Sequence, residues 1–173
     1  MDGCEKLVLT HGELRFTAWT RGDGPCVLLL HGFPDLPQTW EGLMPALAEA
    51  GYKAVAVTNR GYETSSISPA QDYQLTTLAS DVFAWLEALG EESVHLIGHD
   101  WGAAIASAAA AKKPALFRSL CMVSVPHSGR FAEFATKSLK QLWMSRYIML
   151  FQLQGTAERK VARANCEYLE TLW

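Results

Sequence analysis

The sequence predicts an α/β fold with a mostly parallel sheet and helices on both faces. Three observations carry this expectation. Several short runs, "VLLLHG" (Val27–Gly32) the clearest, are apolar throughout, as suits strands covered on both sides. Between them lie stretches of helical character that end at glycine or proline. The two types alternate along the chain, which is the signature of parallel strands joined by crossover helices.

Each element follows from its own residues. "KLVLT" (Lys6–Thr10) and "LRFTAWTR" (Leu14–Arg21) flank "HGE" and read as a hairpin, followed by the turn "GDGPC" (Gly22–Cys26). After the first buried strand, "TWEGLMPALAEAG" (Thr39–Gly51) reads as a helix, and "YKAVAVTNRG" (Tyr52–Gly61) as a strand. In "TTLASDVFAWLEALG" (Thr76–Gly90), Leu78, Val82, Leu86 and Leu89 recur at helical spacing and form one apolar side. "SVHLIG" (Ser93–Gly98) is a further strand, "AAIASAAAAKK" (Ala103–Lys113) a helix of small residues stopped by Pro114, and "SLCMVSVP" (Ser119–Pro126) another strand. Beyond Pro126 the rhythm changes. Gly129–Gly155 and Thr156–Trp173 both read as helical with no strand between them. The expected organisation is a core over residues 1–128 and an incomplete helical lid over 129–173.

Composition narrows the class. At 173 residues the chain is long enough for one domain with a sizeable core, and 49% apolar with 19% charged residues is ordinary globular composition. A net charge of −3, with signs mixed along the chain, offers no electrostatic footprint for nucleic acid or a membrane surface. No apolar stretch is long enough to span a bilayer, and the start "MDGCEKLVLTHGEL" lacks the basic and apolar regions of a secretory signal. A soluble, cytoplasmic protein is expected. Cys4, Cys26, Cys121 and Cys166 are scattered, without a metal-binding spacing, so reduced structural thiols are expected and neither a metal nor a cofactor is implied.

Three segments follow predicted strands at the end where open α/β sheets bind ligands: "HGFPD" (His31–Asp35), "GHDWG" (Gly98–Gly102) and "VPHSG" (Val125–Gly129). Gly98–Gly102 has the strand–turn–helix setting of a nucleophile elbow, with Asp100 at the apex where serine is usual. The plainer reading of Asp100 is a cap on the following helix. Ser65, Ser107 and Ser124 sit at no such elbow, which argues against a serine-type hydrolase.

HGFPD, GHDWGA, SVPH and YIMLFQ, in this order, resemble the soluble epoxide hydrolase branch of the α/β-hydrolase family, with haloalkane dehalogenases as close relatives. The resemblance runs from about residue 5 to about residue 155. It implies an α/β-hydrolase fold cut short before its last core strands. It also implies that Asp100 attacks an epoxide carbon to give an alkyl-enzyme ester, and that Tyr147, four residues before Phe151–Gln152, donates its phenol proton to the epoxide oxygen. The backbone N–H groups of Phe33 and Trp101 map onto the oxyanion donors, and the Phe33–Pro34 bond onto one that is often cis. Pro34 and Phe151 map onto substrate-contacting positions. Tyr147 is otherwise an aromatic of an amphipathic lid helix beside Trp143 and Leu150. The chain departs from the family pattern at Glu63, where the loop "NRGYETS" (Asn59–Ser65) more often has glycine, and at Gln154, where proline is common. Asp35, His31, His99 and His127 are expected to order loops.

The family's second lid tyrosine, its orienting acid and its water-activating histidine all follow the lid. His11, His31, His95, His99 and His127 lie before it, so the chain by itself is expected to stop at the alkyl-enzyme. The expected partners are a small-molecule epoxide and, for turnover, a complementing C-terminal segment or a second copy. A haloalkane or haloacid dehalogenase, and a shortened chain kept as a non-catalytic binding module, are the alternatives.

Overall fold

The computed structural model describes residues 1–125, 150, 151, 153 and 155–170. The chain divides into two compact units, Met1–His127 and Ser128–Trp173.

The first unit is built on strands β1 (Glu5–His11), β2 (Leu14–Arg21), β3 (Cys26–Leu30), β4 (Lys53–Val57), β5 (Val94–His99) and β6 (Phe117–Val123). They form one sheet in the order β1-β2-β4-β3-β5-β6. The hairpin β1–β2 and the pair β2–β4 are antiparallel, and β4–β3, β3–β5 and β5–β6 are parallel. All five residues of β3 are buried, and successive side chains serve opposite faces. Leu28 and Leu30 meet a core that includes Val82, Trp85 and Leu86 of helix α2 (Leu75–Leu89) and Ile105, Ala106 and Ala109 of α3 (Trp101–Lys112). Val27 and Leu29 meet Trp40 and Met44, the latter on α1 (Leu43–Glu49). The uninterrupted apolar run is thus a strand between two helical layers.

The expected helix over Thr39–Gly51 is shorter than its apolar pattern. Pro37 starts a 3-10 turn ending at Trp40, and α1 begins only after Gly42. The expected strand over Tyr52–Gly61 ends at Val57, because the next residues leave the sheet for a loop held by side chains. The helix α2 ends at Gly90, whose N–H reaches back to Glu87. The last strand lies two residues earlier than its apolar run, starting at Phe117.

In the second unit the described elements are α4 (Thr156–Val161), a 3-10 turn (Arg163–Cys166) and α5 (Glu167–Glu170). Tyr147 and His127 lie outside the described residues. All four cysteines are free thiols, and burial, reinforced by the charge of Glu91, pushes that of Cys26 up to about 12. No described helix is long and apolar enough to cross a membrane.

Candidate active site

The strand order reverses between β3 and β5: chain progression from β3 runs to β4 on one side and then crosses to β5 on the other. Such a switch point opens a crevice at the carboxyl ends of the two strands. The loop after β3 carries His31–Leu36, and the turn after β5 carries Asp100.

Asp100 has φ 51° and ψ −120°, a conformation that an L-residue rarely adopts. Three backbone bonds hold it there. Its N–H donates to Val123 of β6 at 3.1 Å, and its carbonyl accepts from Ala103 and Ala104 at 2.9 and 3.2 Å. Its carboxylate makes no capping bond to α3, so the helix-cap reading does not describe this residue. Close approach of α3 to the sheet needs glycine at position 102. A Cβ there would stand 2.2 Å from the carbonyl oxygen of Leu30. The same crowding applies at Gly32, where a Cβ would lie 2.5 Å from that of Asp100. The two loops therefore touch through glycine.

That contact places an N–H on the carboxylate: Phe33 N–H donates to Asp100 Oδ1 at 2.9 Å. Oδ2 accepts no hydrogen bond among the described residues. The peptide bearing this N–H is oriented from its other end. His31 Nδ1 lies 2.9 Å from the carbonyl oxygen of Gly32, and Asn59 N–H donates to His31 Nε2 at 3.0 Å. Because Nε2 accepts, the proton of the neutral ring is on Nδ1, which donates to Gly32. The C=O of Gly32 and the N–H of Phe33 share one planar unit and point in opposite directions. Anchoring the oxygen on His31 aims the N–H at Asp100. Burial holds the His31 pKa below its ordinary value and so favours the neutral ring, an effect partly opposed by the Gly32 bond. The Phe33–Pro34 peptide that follows is cis.

The loop after β4 forms the next wall. The Asn59 side-chain amide donates to the carbonyl of His31 at 2.6 Å, and the Tyr62 ring stands edge-on to His31 with centroids 4.6 Å apart. Burial, then the charges of Asp100 and Asp35, push the Tyr62 phenol well above its usual range, so it stays protonated. Arg60 fastens the loop to α2 by a two-pronged bond to Asp81, Nε to Oδ2 at 2.7 Å and Nη2 to Oδ1 at 2.5 Å. Asp81 is 1% exposed and also receives His11 Nδ1 at 2.6 Å. Asp35 accepts the N–H of Leu36 on Oδ1, while its buried Oδ2 has no partner among the described residues.

A family model described as the alpha/beta hydrolase fold matches residues 25–163. The chain belongs to the α/β-hydrolase family. Epoxide hydrolase 3 of Siraitia grosvenorii is 35% identical to this chain over 94% of its length, which covers 52% of that protein. An AB hydrolase superfamily protein of Bacillus subtilis is 33% identical over 98% of this chain and 60% of its own. Among solved structures, an epoxide hydrolase from Vigna radiata superposes with a TM-score of 0.80 at 30% identity, over 95% of this chain and 54% of that one. An epoxide hydrolase from an endophytic Streptomyces does so with a TM-score of 0.79 at 32% identity, over 95% and 51%. The chain thus spans about half the length of these relatives.

Of the residues singled out in the sequence, this α/β hydrolase brings Asp100, Phe33 and Pro34 to one place. Trp101 is the first residue of α3, so helix geometry gives its N–H no intrahelical acceptor, and its side chain is 46% exposed. Phe151 is half-buried in the second unit. His99 ends β5, and its Nδ1 is buried without a partner among the described residues. Asn59, Tyr62 and the Arg60–Asp81 pair were not anticipated as parts of the site. Their signal is the polar run "TNRGY" directly after a buried strand. Among the described residues no group of three His, Cys, Asp or Glu is arranged to hold a metal ion.

Proposed function

We propose that this chain carries the epoxide-opening half of an epoxide hydrolase site. The observation behind this reading is the Asp100 carboxylate. It is raised on a positive-φ turn at the carboxyl end of β5, uncapped, with Oδ1 bound by Phe33 N–H and Oδ2 without a hydrogen bond among the described residues. A carboxylate is already ionised near neutral pH, so it needs no base to become a nucleophile. Oδ2 attacks an epoxide carbon, the C–O bond of the ring breaks, and the released alkoxide takes a proton. Tyr147 is the proposed donor of that proton, and Phe151 and Pro34 the proposed substrate contacts. The epoxide hydrolases among the relatives support the substrate class.

Hydrolysis of the resulting ester requires an activated water and two donors for the developing oxyanion. The N–H groups of Phe33 and Trp101 are the proposed donors. The base and its orienting acid are proposed to come with a complementing C-terminal segment. Two observations support that assignment: the relatives are about twice as long, and the outer edge of β6 has no neighbouring strand among the described residues. Cytoplasmic residence is proposed from the composition alone.

Incubation with styrene oxide followed by intact and peptide mass spectrometry tests the reading. A covalent adduct on Asp100, absent from Asp100→Asn, is the expected result. A chain that remains unmodified, or is modified elsewhere, refutes it. Alkylation by a haloalkane but not by the epoxide moves the assignment to a dehalogenase.

A further inference from the structure

We infer that Glu63 is a positioning residue of this site, acting from the sheet edge through the loop that holds His31. The inference rests on the reading of Asp100 as the epoxide-opening nucleophile.

Where β4 ends, β2 loses its neighbour. Thr58 N–H still donates to the carbonyl of Thr17 at 2.9 Å, but the next groups on that edge face no strand. Two side chains of the following loop take over. Glu63 Oε1 accepts the N–H of Thr17 at 2.5 Å, and the Ser65 hydroxyl donates to the carbonyl of Arg15 at 2.9 Å. A carboxylate accepting a half-buried N–H makes a charge-assisted bond, about twice as strong as one between neutral groups. Glu63 has extended backbone, φ −143° and ψ 153°, which any residue can adopt. The tether is therefore a property of its side chain. At the position where the similar loop of epoxide hydrolases more often carries glycine, no side chain exists to make it.

The tether is adjacent in sequence to the parts of the loop that touch the site. Tyr62 precedes Glu63 and rests its ring on His31, and Asn59 binds His31 twice. The N–H of Gly61 closes the loop on Ser66. His31 in turn fixes the peptide whose N–H lies on Asp100. The path from Glu63 to the nucleophile thus runs through Tyr62 and Asn59, then His31, then the Gly32–Phe33 peptide. Glu63 is joined to Tyr62 by the peptide bond, the Tyr62 N–H donates to the carbonyl of Asn59 at 3.2 Å, and the remaining links are the contacts stated above.

The experiment follows alkylation by styrene oxide in the full chain, with maximal rate and half-saturating concentration measured separately. Glu63→Ala is expected to lower the maximal rate about tenfold while leaving half-saturation within about twofold, because the Asp100 carboxylate is less well aligned for attack rather than the pocket removed. Glu63→Gln, which keeps an acceptor oxygen at the same reach, is expected to recover most of the rate. Glu63→Asp keeps the charge but falls one methylene short, and should behave like Glu63→Ala even if the latter folds poorly. A second readout is the nitrogen NMR signal of His31 Nε2, which reports its bond from Asn59 and should move in the Ala and Asp variants but not in Gln. Wild-type alkylation kinetics and an unmoved His31 signal in Glu63→Ala and Glu63→Asp would overturn the proposal. If the unmodified chain forms no adduct, the nucleophile reading falls, and the His31 signal alone decides the role of Glu63.

Discussion

A carboxylate held at φ 51° is strained by about 1–3 kcal/mol, and three backbone bonds and the Phe33 N–H oppose its relaxation. Asp100→Asn keeps the shape and an acceptor oxygen. It is therefore expected to fold with an unfolding midpoint close to wild type while losing the epoxide adduct entirely, as read by mass spectrometry. His31 gives a second prediction with a definite sign. Its folded pKa lies below the ordinary 6.5, so between those two values the unfolded chain binds a proton that the folded chain refuses. The stability this contributes is complete above about pH 6.5 and is lost as the pH falls below that value toward the lowered pKa. The urea midpoint should be lower at about pH 5.5 than at about pH 7.5, and His31→Asn should shrink that difference. At this scale the sequence displayed Asp100, Phe33 and Pro34 because local motifs carry them. It did not display Tyr62 or Asn59 as partners of His31, since those contacts join segments about thirty residues apart.

Elements hold the site by close approach and by one buried ion cluster. The α3 helix is rich in alanine, and its second residue, Gly102, abuts the carbonyl of Leu30. Gly102→Ala pushes a methyl group into rigid backbone and is expected to cost about 3 kcal/mol or more, at the upper end of overpacking effects, as measured by chemical denaturation. The Arg60–Asp81 fork joins the loop after β4 to α2. Asp81→Ala leaves the Arg60 guanidinium buried and unpaired, and is expected to cost about 3–5 kcal/mol. Replacing both with apolar residues, Arg60→Met with Asp81→Leu, should recover much of that loss in the same measurement, since the penalty comes from the unpaired charge. The strands and long helices were legible from apolar runs and helical periodicity. The helix over Thr39–Gly51 was overextended because the pattern of Leu43, Leu47 and their neighbours ignores Pro37 and Gly42.

On the scale of the whole molecule, six strands present an asymmetric sheet. The β3 strand at its centre is wholly buried, while β6 at its edge leaves Leu120 38% and Val123 40% exposed among the described residues. Such an edge is a template for further pairing. Under the proposed function, supplying the C-terminal segment of a relative in trans is expected to convert an Asp100 adduct into turnover, monitored as diol release; persistence of the adduct would count against complementation. The parallel character of the sheet was readable from the alternation of elements, whereas the order of the strands, with β4 and β5 on opposite sides of β3, was not. What stayed hidden is how a side-chain loop replaces the missing ladder beside β2, because tethers such as Glu63 to Thr17 leave no periodic trace. The bond from Phe33 to Asp100 also makes the two carboxylate oxygens inequivalent. In the proposed cycle Oδ2 departs with each diol, water replaces only that atom, and Oδ1 stays under the N–H. A complemented protein cycling in heavy-oxygen water should therefore carry a single isotopic label on Asp100, however many times it has reacted.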